Sequence, residues 1–275
     1  LANARPYANY RDTRYYGVET ALQYTTKINR LTLSIGGNAT IQQSEILKYD
    51  ELNYHNDYQK RLGKPADAYF GYIVLGQFKD DNDIANSPIQ PFDDQLSPGD
   101  IKYKDMNGDG QVDANDRAMI GHTDPRLFYG LNLRLGYGNF DLLVVADGSA
   151  FYDLPMTNQY FWNGWGDNNY SEFVRDNIGG AYPRLTYNRV NNNFQSSEFW
   201  MTRADYLKIQ NMELSYSLPQ KLAEKMFTRR FRIYARGANL LTISKVKDVD
   251  PEAVHSGVYF YPLMRTITGG IRLTL

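Results

Sequence analysis

The stretch "LTLSIGGNATIQ", residues 31–42, alternates with a period of two. Leu31, Leu33, Ile35, Gly37, Ala39 and Ile41 are apolar or small, while Thr32, Ser34, Asn38, Thr40 and Gln42 are polar. Successive side chains of a strand point to opposite faces, so this segment reads as a strand with one greasy and one wet face. A helix cannot sustain that period. The pattern returns in "LFYGLNLRLGY" (127–137), where Leu127, Tyr129, Leu131, Leu133 and Leu135 oppose Asn132 and Arg134. It returns again in "TITGGIRLTL" (266–275), where Ile267, Ile271, Leu273 and Leu275 oppose Thr266, Thr268, Arg272 and Thr274. Weaker alternation marks 16–26, 140–149, 206–217 and 230–241, giving an all-β chain of about seven antiparallel strands. In "YLKIQNMELSY" the apolar parity switches from Leu207 and Ile209 to Met212, Leu214 and Tyr216. That switch predicts a β-bulge near Gln210 and Asn211.

The connections between these strands alternate strictly. "KINR" (27–30), "YGN" (137–139) and "LPQKLAEKMFTRR" (218–230) are short; 45–126, 150–205 and 242–264 are long and rich in Asn, Asp, Gly, Pro and aromatics. A soluble sandwich has no reason to place every long connection at one end. An outer-membrane β-barrel does, with tight periplasmic turns and long extracellular loops. Strands of about ten residues also suit a tilted crossing of the hydrocarbon layer. The last strand then runs from outside to inside and ends at Leu275.

Composition narrows the class further. The 275 residues carry 31 acidic and 30 basic side chains, a formal net charge of -1, so there is no basic field to hold a nucleic acid. With no cysteine, disulfide frameworks and thiolate metal sites are excluded. No apolar run is long enough for a transmembrane helix, and "LANARPYANYRDTRYYG" lacks the charged start and apolar centre of a signal peptide. A secreted protein with this beginning would be mature or truncated. The 23 Tyr in a chain of mean hydropathy -0.56 suit a β-barrel wall or a sugar-binding surface.

One long connection holds "DMNGDGQVDAND" (105–116), which has the spacing of a calcium loop. Asp105, Asn107 and Asp109 would supply side-chain oxygens, Gln111 its backbone carbonyl, Asp113 a direct or water-mediated contact, and Asp116 the twelfth position. Gly110 allows the sharp turn and Val112 points inward. Hard oxygen donors at this density favour calcium over magnesium. Asp at position twelve replaces the usual bidentate Glu, as in dockerin-like loops, and the flanks "SPGDIKY" and "RAMIGHTDP" are not the long helices of an EF-hand. The expected role of this insert, 98–121, is to stiffen an extracellular loop; a solvated Asp/Asn/Gly turn is the plainer reading.

A second connection holds "YFWNGWGDNNYSEF" (160–173), where Trp162 and Trp165 lie beside Asn163, Asp167, Asn168 and Asn169. Such residues can stack on and hydrogen-bond a sugar ring or clasp a peptide backbone. They serve equally in an interfacial girdle, in packing the loop on itself, or against a partner lipoprotein. Catalytic patterns are missing: His55, His122 and His255 lie far apart, and there is no G-x-S-x-G or paired-His motif. No pair of carboxylates is singled out for glycoside cleavage, so an enzyme is not expected.

Several blocks, in order, resemble SusC/RagA-type TonB-dependent outer-membrane transporters of Bacteroidetes-like bacteria. They are "YYGVETALQY" (15–24), "RLGKPADAYFGYIVLGQF" (61–78), "PGDIKYKDMNGDGQVDANDRAMIG" (98–121), "ADYLKIQNMELSYSLP" (204–219), "RIYARGANLLTISK" (232–245) and "VDPEA" (249–253). "TGGIRLTL" also resembles the C-terminal assembly signal of outer-membrane barrels through Thr268, Gly270, Leu273 and Leu275, although the usual last residue is aromatic. The resemblance covers the chain almost end to end.

It implies a 22-stranded transmembrane β-barrel around a plug domain, with residues 1–275 as its C-terminal portion and the plug and first strands absent. Open strand edges in lipid leave backbone groups unpaired at several kcal/mol each, so the chain is expected to fold only with the remainder. The implied activity is TonB-dependent uptake of oligosaccharides or peptides, with no chemistry on the substrate. The implied partners are a SusD/RagB-like surface lipoprotein, TonB acting through the absent part, outer-membrane lipid, and a second transporter–lipoprotein pair in a dimer. A different reading is a soluble calcium-stabilised carbohydrate-binding or scaffold module with a dockerin-like loop. A siderophore-type transporter is a nearer alternative, disfavoured by the calcium-loop block and "YSLP".

Overall fold

The computed structural model describes residues 9–93, 95–158, 160–162, 171–177, 180–185, 190–247, 249–253, 261 and 263–274. The first hairpin pairs β1 (Arg11–Ile28) with β2 (Leu31–Tyr49). The long connection after it carries β3 (Ala68–Gly71), β4 (Val74–Gln77), the short helix α1 (Asp81–Ala85), β5 (Ile101–Tyr103) and β6 (Ala118–His122). A second hairpin joins β7 (Leu127–Tyr137) to β8 (Phe140–Ala150), and its long connection carries β9 (Asp153–Pro155), α2 (Glu172–Asn177) and β10 (Met201–Arg203). Then come β11 (Tyr206–Ser217), α3 (Gln220–Lys225), β12 (Arg230–Ser244) and β13 (Thr266–Thr274).

Seven of these strands make one antiparallel sheet in the order β1-β2-β7-β8-β11-β12-β13, so each long strand pairs with the next long strand along the chain. Two turns are tight enough to need special backbone: Asn29 has φ 53° between β1 and β2, and Gly138 has φ 59° between β7 and β8. The expected length of about ten residues holds for β7, β8, β11 and β13 but not for the first hairpin, whose strands run 18 and 19 residues. Beyond Ile41, which faces Leu127, β2 has only β1 beside it in the sheet, and this end leads into the long connection. Polarity there no longer alternates cleanly, so the sequence pattern understated the strands.

The register gathers most of the apolar residues of the seven strands on one face. One row runs Leu22, Gly37, Leu131, Ala146; another runs Tyr24, Ile35, Leu133, Val144, Met212, Gly237, Ile267. Most of this face is open: Leu22 and Ile267 are each 77% exposed. The opposite face carries Gln23, Asn132, Arg134, Asp141, Glu213, Arg236 and Thr268, with Phe128, Leu143 and Val145 among its apolar exceptions. The predicted bulge is present. Pairing of β11 shifts between Ile209 and Asn211 against both β8 and β12, which keeps Ile209 and Met212 on the same face despite their opposite parity.

Packing is concentrated outside the sheet. Tyr72, Ile101, Tyr103 and Val112 form one buried cluster in the first long connection. Tyr152, Leu154, Phe161, Val174, Tyr182, Trp200 and Ala204 form another in the second, and Phe199 packs against both. The two connections thus share a core at one end of the sheet, while the sheet itself leaves its apolar face uncovered.

Candidate functional site: the loop cap and the polar wall

The two long connections are joined by a buried polar network. Asn192 donates to the Ile101 carbonyl (2.8 Å), the Ile101 amide donates to Asn193 Oδ1 (2.8 Å), and Gln90 Nε2 reaches both the Ile101 carbonyl (2.9 Å) and Asn192 Oδ1 (2.6 Å). Tyr103 donates its hydroxyl to the Asn192 carbonyl (2.6 Å), and the Trp200 indole donates to the Asn193 carbonyl (2.8 Å). Burial pushes the Tyr103 hydroxyl well above the ordinary tyrosine range. Asp100, fully buried, takes both prongs of the Arg184 guanidinium and an Asn193 amide. Buried amides and carboxylates are costly unless paired, and these are paired across the two loops.

The calcium-type loop sits on this core. Val112 is fully buried beside Ile101 and Tyr103, and its amide donates to the Ile89 carbonyl (2.8 Å). Gly108 and Gly110 take φ 76° and 87°. Asp105 accepts the amides of Gly108 (2.6 Å) and Gly110 (2.8 Å); Asp109 accepts the Gln111 amide (2.9 Å); Asp113 accepts the Asn115 amide (2.7 Å). Asn107 accepts the Asp109 amide (2.9 Å). Asp116 is fully buried, and its oxygens tie the amides of Met106 (2.7 Å), Asn107 (3.3 Å) and Asp113 (2.8 Å). Its flanks are β5 and β6 rather than helices. Among the described residues, no three acidic or histidine groups converge in a metal-holding cluster. Nearby, burial and the charge of Asp116, aided by Asp105 and Asp109, raise the Tyr58 hydroxyl, a sign of the negative field this loop carries.

A third junction fastens the first loop to the sheet. Asp67 accepts from Arg126 (2.8 Å) and from the Asp124 amide (2.8 Å), and its carboxylate stands 4.0 Å from His122 Nδ1. Burial works to raise the Asp67 pKa, but the Asp124 amide and the Arg126 guanidinium hold it below the usual carboxylate range. Burial, then the Asp67 charge, pushes neighbouring Asp124 the other way.

Trp162 packs inside the second loop, 5.7 Å from Phe194 and 5.9 Å from Trp200 between ring centroids. Asn163, Trp165, Asp167, Asn168, Asn169, His255 and Leu275 lie outside the described residues. Sequence reasoning missed the "NNN" run 191–193, which reads as an ordinary polar loop because its partners lie about ninety positions away. It also missed Lys208, on the polar face of β11 and only 1% exposed, which meets Asp250 at 3.3 Å and Glu252 closer still. "VDPEA" is therefore a strap pinned to the wall. Lower on that face Glu213 is held by Arg232 and Arg236, beside the Arg134–Asp141 pair at 3.3 Å, around a cavity of about 270 Å³.

No family model matches the chain. It is 25% identical to TonB-dependent receptor P26 of Formosa agariphila, over 95% of this chain and 27% of that protein. It is 24% identical to TonB-dependent receptor SusC of Bacteroides thetaiotaomicron, over 99% of this chain and 27% of that one. The chain thus spans about a quarter of the length of these relatives. Its fold matches a chain in the structure of the RagAB peptide transporter with a TM-score of 0.70 at 20% identity, covering 95% of this chain and 29% of that one. The open state of the RagAB peptide importer gives 0.68 at 18% identity, with 96% and 29% covered. Motifs, sequence relatives and fold agree: the chain is similar to a segment of SusC/RagA-type TonB-dependent receptors, and its seven adjoining strands with their loops match part of such a barrel wall.

Proposed function

We propose that this chain forms the C-terminal part of a 22-stranded outer-membrane barrel that imports oligosaccharides or peptides by TonB-dependent uptake. The observation that carries the reading is the sheet itself: an exposed apolar face across seven strands, opposed by a polar, ion-paired face. Water would penalise that apolar face, whereas lipid accommodates it. At its short-turn end the face carries an aromatic row, Tyr137 opposite Phe140 opposite Tyr216, with Phe140 and Tyr216 ring centroids 4.7 Å apart. Tyr129 stands eight positions up β7 from Tyr137, about 27 Å along the strand at ~3.4 Å per residue. A tilt of roughly 40° reduces that to about 21 Å, on the order of the apolar band of such barrels.

In this reading the polar face lines the lumen, and the loop cap is extracellular and meets a SusD/RagB-like lipoprotein. TonB acts through a part of the receptor outside this chain. The segment 162–168 is the proposed substrate or partner rim, with Trp162 as its root in the aromatic core. The SusC and RagAB relatives support the class of partner; glycan against peptide is decided by experiment. A strain lacking the complete receptor should fail to grow on one of a panel of oligosaccharides and peptides and recover with the intact gene. Unchanged growth and uptake on every member would overturn the uptake reading.

The 105–116 loop is proposed to hold calcium through Asp105, Asn107, Asp109, the Gln111 carbonyl, Asp113 and Asp116. The all-oxygen donor set, the positive φ of Gly110 and the buried Val112 anchor fit such a loop. Calcium there would neutralise a run of carboxylates and brace the first long connection.

A further inference from the structure

The short turn between β11 and β12, residues 218–230, differs from the other two tight turns. It carries Lys221, Lys225, Arg229 and Arg230 against one acid, Glu224, in a chain whose net charge is -1. Helix α3 within it exposes Leu222, and Met226 and Phe227 follow in the open, Phe227 at 92% exposure. Only Ala223 and Thr228 of the turn are buried, and they knit it together: the Thr228 amide and hydroxyl both donate to the Ala223 carbonyl at 3.1 Å.

Phe227 closes this helix in the left-handed region, with φ 55°. Glycine is the residue that occupies such a position without strain, and asparagine is the next best. Capping therefore does not explain a phenylalanine. Packing does not explain it either, since no aromatic or cationic side chain stacks on its ring among the described residues. An exposed aromatic held by a strained backbone beside four cations has the makeup of an interfacial anchor, in which apolar groups enter the headgroup boundary and the cations meet lipid phosphate. The turn is also continuous with the apolar face of the sheet. Leu218 donates its amide to the Phe231 carbonyl at 2.8 Å, Phe231 pairs with Leu273 and Tyr216 with Ile233, all on or bordering that face.

We infer that residues 218–230 anchor the barrel wall to the periplasmic leaflet, with Leu222, Met226 and Phe227 in the headgroup boundary and Lys221, Lys225, Arg229 and Arg230 on anionic phospholipid. The inference rests on the membrane-spanning reading of the sheet. It is favoured over a soluble protein partner because the turn's apolar groups extend a surface that already faces lipid in that reading.

The test places a nitroxide at Phe227→Cys, and separately at Leu222→Cys, in the complete receptor reconstituted in vesicles of phosphatidylcholine with or without phosphatidylglycerol. A third label at Leu133→Cys, on the apolar face of the sheet, reports the wall. Collision with oxygen should exceed collision with a water-soluble nickel chelate at all three sites. Phosphatidylglycerol should raise that ratio at 222 and 227, and Lys221→Gln, Lys225→Gln and Arg229→Gln together should remove the effect. Nickel access at 222 and 227 with oxygen preference kept at 133 overturns the anchor alone, as does an immobilised label that neither reagent reaches, the mark of a protein contact. Nickel access at 133 overturns the wall reading.

Discussion

Arg184 and Asp100 lie 84 positions apart and meet as a two-pronged pair, Nε to Oδ1 at 3.1 Å and Nη2 to Oδ2 at 3.0 Å. The pair joins the two long connections that cap one end of the sheet. Asp100 has no exposed surface, so its charge depends on Arg184, Asn193 and the Ser97 amide. Asp100→Ala strands all three donors, at a cost of about 3 kcal/mol, the lower end of the range for a broken buried pair because Arg184 still reaches water. Hydrogen exchange should rise across 97–103 and 182–195 in the variant while β7 and β8 stay protected. Equal loss across the sheet would mean that the cap and the wall are one cooperative unit.

Calcium removal should loosen the first connection. Chelation of the complete receptor is expected to raise hydrogen exchange across 98–121, and Asp105→Ala with Asp109→Ala should remove the heat of one calcium site by titration calorimetry. Exchange that does not change on chelation rejects the brace. The carboxylates would then serve only through the backbone amides they accept, those of Asp105 and Asp116 among them.

The Asp67 junction has a defined pH window. Its pKa lies below the ordinary carboxylate value because the Asp124 amide and Arg126 outweigh burial, so its stabilisation is fully present above the unfolded pKa. It is lost as pH falls through the folded value, which lies lower still. Exchange of the Asp124 amide, taken relative to its intrinsic rate at each pH, should therefore stay flat from pH 7 to 5 and climb only below about 4, near the unfolded pKa. Asp67→Asn should raise it at neutral pH and flatten the profile. A rise that begins above pH 5 in the parent protein would reject Asp67 as the group whose protonation opens the junction.

Deleting Gln210 should invert one end of β11. The bulge lets the strand change parity, so its loss moves Tyr206 and Lys208 to the apolar face and Leu207 and Ile209 to the polar one. Lys208 would lose Asp250 and Glu252 and enter lipid. The deletion variant should be absent from the folded outer-membrane fraction, whereas Gln210→Ala should assemble normally. Normal assembly of the deletion variant would show that the bulge does not set the register.

The wall was legible because its period of two is imposed directly by strand geometry and by the solvents on its two faces. Even the parity switch at Gln210 survives as a pattern in the sequence. The extensions of β1 and β2 were not legible, since above Ile41 both faces of the hairpin meet protein or water and polarity no longer alternates. The loop cap was largely hidden for a different reason. Asn192 and Asn193 act through backbone groups of Ile101, and no local pattern announces a partner ninety positions away. The calcium spacing was visible, but that Asp116 ties amides from inside the fold was not. Trp162 was legible as an aromatic of consequence; its place between Phe194 and Trp200 depends on two segments meeting.

As a membrane wall, the sheet turns the odd-numbered residues of β7 toward lipid. Single nitroxides placed in turn at 129–135 of the complete receptor in vesicles test it most directly. Oxygen collision should peak at 129, 131, 133 and 135 and fall at 130, 132 and 134, a period of two along the strand. Uniform access to the water-soluble nickel chelate at all seven positions, or oxygen maxima at the even ones, would contradict it.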